Sequence, residues 1–164
     1  MINGVATAHL NAEAAKRECD ELTALYEAVW LSGWKNGDPF FSRERFVDRL
    51  NAHLAAPGFE LVTARLDGKL IGYMYGFSRP ANHEFAVCEL MVASKYRRNG
   101  VAGVLHDELL GGRSERTAQL LVEKQNLAAQ AAYRRWGWNK IADYQPFPDS
   151  PDYDSLALVL QDSA

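Results

Sequence analysis

The densest run of chemistry in this 164-residue chain is Glu89-Leu90-Met91-Val92-Ala93-Ser94-Lys95-Tyr96-Arg97-Arg98-Asn99-Gly100-Val101-Ala102-Gly103-Val104. The pattern predicts a strand, a polar loop with three cations, and a turn of small residues that opens a helix. Unbonded backbone N–H groups and the positive end of a helix dipole then converge on one point, which suits an anion such as pyrophosphate. Gly100 lets the backbone reach a ligand with no Cβ between them. Ala102 and Gly103 keep the first helical turn slim, and Arg97 and Arg98 can add charge-assisted bonds to phosphate oxygens. The plain alternative is a strand-to-helix loop with solvated cations. Two familiar phosphate loops are excluded: G-x-x-x-x-G-K-S/T is absent, and Gly100-Val101-Ala102-Gly103 lacks the dinucleotide spacing.

Glu89 heads this stretch. On a strand, Glu89 and Met91 point to the face opposite Leu90 and Val92. A carboxylate in a partly dry setting can have its pKa raised toward neutrality and act as a general base, or it can simply orient a substrate. His83 and Glu84, at the start of the same strand, are the alternates, acting through water. His106-Asp107-Glu108 reads as the solvated face of the following helix, and Cys88 as a core residue alternating with Glu89. The four histidines (His9, His53, His83, His106) have no ligand-like spacing, so no metal is expected.

The elements that must position these groups follow from periodicity. Ala15, Cys19, Leu22, Leu25, Tyr26 and Val29 predict an amphipathic helix over 12–31, ended by Gly33, Gly37 and Pro39. Ser42 starts a second helix with Phe46, Leu50 and Leu54 on one face, stopped by Pro57-Gly58. Strands over 59–66 and 69–77 flank Asp67-Gly68, a strong hairpin signal. A third strand spans 84–93, a helix 100–110, and a short strand 120–122. Asn126 caps an Ala-rich helix to Trp136, and two strands over 138–144 and 155–160 close the sheet. The fold class is α/β, with an antiparallel front half and a helix-crossover rear half.

Composition sets the frame. Asp and Glu (21) outnumber Lys and Arg (18), which disfavours a nucleic-acid partner. No apolar run approaches the ~20 residues of a membrane span, and Met1-Ile2-Asn3-Gly4-Val5 has no secretory signature. Two cysteines make neither a disulfide framework nor a zinc site, so a cytoplasmic setting is expected. Length predicts one domain over 1–164.

Arg97-x-x-Gly100-x-Ala102 resembles the Q/R-x-x-G-x-G/A acyl-CoA loop of the GNAT superfamily of N-acetyltransferases. Glu89-Leu90-x-Val92 stands upstream like that family's fourth strand. Downstream, Asn126-x-x-Ala129-x-x-x-Tyr133-x-x-x-Gly137-Trp138 resembles its N-x-x-A-x-x-x-Y-x-x-x-G-F/W segment. The match is closest to bacterial, actinomycete-type members with a Trp136-Gly137-Trp138 ending. The resemblance implies a mixed sheet of six to seven strands with about four helices, splayed at the cofactor site, and acetyl-CoA as cofactor. It implies that Leu90, Met91 and Val92 pair through their backbone with the pantetheine arm, and that one N–H there polarises the thioester carbonyl. The pyrophosphate then rests on the amides of Arg98, Asn99, Gly100, Val101, Ala102, Gly103 and Val104. Tyr133 protonates the departing thiolate, its alternative being an ordinary packed aromatic. Asn126 contacts pantetheine, caps its helix, or does both.

The resemblance also places the acceptor pocket between the first two helices and the loop joining the last strands. Tyr26, Trp30, Trp34, Phe40 and Phe41 supply one side, with Glu84 at the strand start. Asp143 to Asp154 supplies the other, including Tyr144 and Asp152. That segment holds four Asp and no Lys or Arg. It either attracts a cationic amine or forms a proline-stiffened loop whose aspartates cap turns. The expected reaction is acetyl transfer to an amine of a small molecule or peptide by direct attack, a homodimer being the assembly considered. The alternative is a non-catalytic acyl-CoA-binding module.

Overall fold

The computed structural model describes residues 2–30 and 37–161, so Trp34 lies outside the described residues. The elements are β1 (Val5–Leu10), α1 (Ala12–Lys16), α2 (Cys19–Trp30), α3 (Arg43–Leu54), β2 (Glu60–Leu66), β3 (Lys69–Arg79), β4 (Glu84–Val92), α4 (Val101–Gly111), β5 (Thr117–Glu123), α5 (Leu127–Arg135), β6 (Asn139–Tyr144) and β7 (Tyr153–Val159). The strands form one sheet in the order β1-β2-β3-β4-β5-β7-β6. Every pairing is antiparallel except β4 with β5. Among the described residues no helix is long and apolar enough to cross a membrane.

Two differences from the sequence reading stand at the N-terminus. β1 pairs with β2 along its whole length, although Val5-Ala6-Thr7-Ala8-His9-Leu10 carries too little apolar alternation to announce a strand. It is a half-exposed edge strand with little to bury. The long first helix is two helices, because Arg17 and Glu18 donate to carbonyls three residues back and tighten the chain into a turn.

Each face of the sheet buries its own core. Val62, Met74, Phe85 and Val87 pack under Val101, Leu105 and Leu109 of α4 on one face. Tyr73, Tyr75 and Met91 pack with Leu22, Tyr26, Phe46 and Leu50 of α2 and α3 on the other. The Asp67-Gly68 turn has positive φ at both residues (51° and 79°), as a primed hairpin turn requires. Ser42 caps α3 by accepting from the Arg45 amide, and Asn126 caps α5 by accepting from Ala129.

One irregularity sets up the site. Between β3 and β4, Tyr75 faces Glu89 but Gly76 faces Val87, so Cys88 is an extra residue on β4. Such a bulge shifts the phase of a strand. Gly76 makes room for it: a Cβ there would lie 2.3 Å from the Ala86 carbonyl oxygen and 2.6 Å from the Phe85 ring. Cys88 therefore does not simply alternate with Glu89, as the sequence suggests. Both approach the tyrosine-rich face, where Glu89 is the direct partner of Tyr75.

Candidate active site

β4 and β5 pair only at Glu84–Thr117, Phe85–Ala118 and Ala86–Gln119. From Val87 onward the two strands part, and β4 has no strand partner on that side. A cleft of about 600 Å³ opens along the parting, floored by Val87, Cys88, Glu89 and Leu90 on β4 and by residues 120–123 on β5.

Glu89 lines this cleft. Its carboxylate forms no ion pair or hydrogen bond with any described residue. Burial pushes its pKa up to about 7, against a smaller downward pull from the Arg49 guanidinium. Its charge is felt by the phenols of Tyr26, Tyr73, Tyr75, Tyr133 and Tyr153, whose own pKa values burial pushes upward. A carboxylate poised near neutrality, with no partner among the described residues and facing a cleft, has the properties of a general base.

Tyr133 comes from the inner face of α5. Its ring is held edge-on by Trp136 and Trp138, each 5.7 Å away between centroids. Its hydroxyl has no hydrogen-bond partner among the described residues, and the side chain lines the same cleft as Glu89. Burial, then the Glu89 charge, keeps the phenol protonated, as a proton donor must be. Asn126 lines the cleft as well as capping α5.

At the start of α4, Gly100 adopts a left-handed conformation (φ 81°) with no side-chain cap, and Arg98 also has positive φ (63°). Val101, Ala102 and Gly103 have no intrahelical acceptor for their amides. The amide of Val104 already donates to the Gly100 carbonyl at 3.1 Å, so the run of free donors stops one residue short of the expected range. Lys95, Arg97 and Arg98 are exposed beside this nest, and Asn99 turns its side-chain amide back to the Arg97 carbonyl. Backbone donors, a helix dipole and exposed cations together fit the pyrophosphate of a CoA ester. The unpaired edge of β4 fits its amide-bearing arm, through Leu90, Met91 and Val92 as backbone. The Leu90 side chain lines the cleft, while that of Met91 is buried in the tyrosine face.

Two expected site residues fall elsewhere. Glu84 is buried at the far end of β4, accepts from Arg79 at 3.0 Å and does not line the cleft. Its place in the parallel pairing with β5 keeps it away from the parting. Asp152 is exposed and lines a smaller neighbouring hollow with Asp38 and Lys124. The acidic rear segment is largely neutralised: Asp143 and Asp154 are paired with Lys124 and Lys140, and Asp149 with Arg45. His106 is not solvated. It is buried, receives the Trp138 indole N–H at 3.0 Å and lies tilted against the Trp136 ring at 4.5 Å.

Tyr26, Trp30 and Tyr144 do line the cleft. Tyr26 donates to the Phe41 carbonyl at 2.8 Å, and burial pushes its pKa up to about 12. Sequence reasoning missed Arg49 and His53, which also line the cleft. His53 bonds the Tyr75 hydroxyl at 2.9 Å, and burial, then Arg49 and Arg79, lower its pKa to about 4. Arg49 follows the Phe46 stripe of α3 by three residues. That spacing was the one available signal that it turns toward the sheet.

A sequence model of the Acetyltransferase (GNAT) family matches residues 19–138. The chain belongs to the GNAT acetyltransferase family. Its α/β architecture, with seven strands in a mixed sheet and five α-helices among the described residues, is the GNAT fold. The ribosomal-protein-S18-alanine N-acetyltransferase from Escherichia coli superposes with a TM-score of 0.73 at 18% identity, covering 98% of this chain and 96% of that one. Ard1 from Thermoplasma volcanium superposes with a TM-score of 0.71 at 15% identity, covering 97% and 99%. The PaiA N-acetyltransferase from Thermoplasma acidophilum, solved in complex with coenzyme A, gives 0.68 at 13% identity, covering 94% and 98%. No curated protein sequence gives a significant match. These comparisons give no support to an actinomycete-type origin.

Proposed function

We propose that the chain transfers an acetyl group from acetyl-CoA to a primary amine of a small molecule or peptide, by direct attack of the amine. The observation that carries this reading is the meeting of Glu89 and Tyr133 on one cleft where β4 and β5 part. Acetyl-CoA, when bound, supplies an acyl group activated as a thioester. The amides of Val101, Ala102 and Gly103 with Arg97 and Arg98 hold its phosphates, and the open β4 edge holds its arm. Glu89 takes the proton of the incoming ammonium, being half ionised near neutral pH. Tyr133 holds a proton over the cleft and delivers it to sulfur as the thiolate departs. A phenol whose pKa is raised by burial remains a donor throughout the neutral range.

Cys19 and Cys88 are free thiols, the state a reducing cytoplasm maintains, and we place the reaction there. The test is thiol release from acetyl-CoA with a panel of primary amines. Turnover that depends on both Glu89 and Tyr133 supports the assignment. CoA binding without turnover across a broad panel replaces it with a binding module.

A further inference from the structure

The acceptor end of the cleft holds opposite charges that are not joined to each other. Arg49 projects from α3, donates to the Phe40 carbonyl at 3.3 Å and lies 5.6 Å from the Phe40 ring centroid. It has no carboxylate partner among the described residues. Its charge reaches Glu89 across the cleft, yet the two form no ion pair. The neighbouring charges are already satisfied: Arg79 by Glu84, Asp149 by Arg45, and Asp143 and Asp154 by lysines. Glu123 is also engaged.

Aromatic rings line the same cleft as the two charges. Trp30 stacks on Phe41 at 5.9 Å, and Phe40 meets Phe41 edge-on at 4.9 Å. Across the cleft, Tyr144 and Phe147 remain 51% and 53% exposed, with their rings free to meet a ligand. A simple cationic amine in this space would meet Arg49 repulsively, and a simple anion would meet Glu89. A zwitterion satisfies both charges at once.

We propose that the acceptor is an aromatic α-amino acid, its ammonium drawn to Glu89, its carboxylate to Arg49, and its ring packed among Trp30, Phe41, Tyr144 and Phe147. This inference rests on the acetyl-transfer reading and narrows its acceptor. In the reaction the amine nitrogen bonds the acetyl carbon, the carbon–sulfur bond breaks, and CoA leaves as the thiol. The ammonium gives one proton to Glu89 before attack and a second by the same route as the intermediate collapses, Glu89 passing each to solvent, while Tyr133 supplies the sulfur proton and is reprotonated from solvent.

The test uses the intact protein and acetyl-CoA with phenylalanine, tyrosine and tryptophan, each against its own carboxamide, which keeps the amine and ring but removes the negative charge. For the best of the three, kcat/KM exceeds that of the amide at least tenfold. Arg49→Gln brings the ratio to within twofold of one, and Arg49→Lys restores part of it. An amide turned over as well as its acid overturns the proposal while leaving acetyl transfer standing. If none of the six compounds is acetylated, calorimetric binding to the CoA-loaded protein decides. At least tenfold tighter binding of the acid, lost in Arg49→Gln, upholds the proposal, and equal or absent binding overturns it. The separate amine panel then judges acetyl transfer itself.

Discussion

At the α4 end of the proposed cofactor path, the available donors are amides of consecutive residues, set by a left-handed Gly100 and an uncapped helix. The opposite end draws Tyr26, Arg49, Glu89, Glu123 and Tyr153 from five different elements, and its character depends on side chains that meet only after folding. One end recognises through backbone geometry and tolerates many side chains. The other discriminates through charge and ring placement, where one substitution changes what is bound. In the proposed division of labour, the invariant half of the reaction sits on backbone and the variable half on side chains.

Substitutions at each end put this contrast to the test. Glu89→Gln, which removes the base and keeps the shape, is expected to lower kcat roughly 10²–10⁴-fold with little change in CoA affinity. Single-turnover and binding measurements on the same variant separate the two. Tyr133→Phe is expected to cut kcat at the low end of that range, roughly 10²-fold, with CoA affinity within twofold of the parent. An unchanged rate removes Tyr133 from the mechanism. Gly100→Val forces a β-branched residue into the left-handed region and acts at the backbone end. Strain of about 1–3 kcal/mol corresponds to roughly 10–100-fold weaker CoA binding, measured by calorimetry. Retained affinity would show that the anion site lies elsewhere.

The pH dependence sharpens the side-chain end. A base must be ionised, so kcat/KM is expected to rise about tenfold per pH unit until about pH 7 and flatten above it. Stability moves the other way. Burial raises the Glu89 pKa above its unfolded value, so its favourable contribution is full below about pH 4.5 and is lost as pH rises through 7. Glu89→Gln is accordingly expected to stabilise the protein above pH 7, by up to about 3 kcal/mol in chemical denaturation. The smallest effect belongs to the acidic rear segment. Asp149→Asn breaks an exposed pair with Arg45 and should change turnover less than twofold.

The sequence was legible where the signal is local. The Asp67-Gly68 hairpin, the Ser42 and Asn126 caps and the Gly100 turn each depend on a few adjacent residues, and each forms where the pattern places it. Glu89 and Met91 do face away from Leu90 and Val92, since the bulge ends before them. Other features answered to the fold. β1 gains its order by pairing with a strand fifty residues downstream, which no local period records. Arg49 and His53 read as polar positions on an amphipathic helix until the tyrosine face of β3 stands beneath them. Four aspartates within twelve residues, without a cation among them, looked like an electrostatic lure. Lys124 and Arg45, distant in sequence, and Lys140, just outside the segment, answer three of the four charges.

The three residue pairs that join β4 to β5 also have a mechanical consequence. Strands β1 to β4 form one antiparallel ribbon and β5 to β7 another, each closely stitched, with a seam of only Glu84 to Ala86 between them. Load across the sheet therefore concentrates on that seam and on the packing of α4 beside it. Pulled from strands on either side, the molecule should tear there before any hairpin unzips, with the two ribbons coming away as intact pieces.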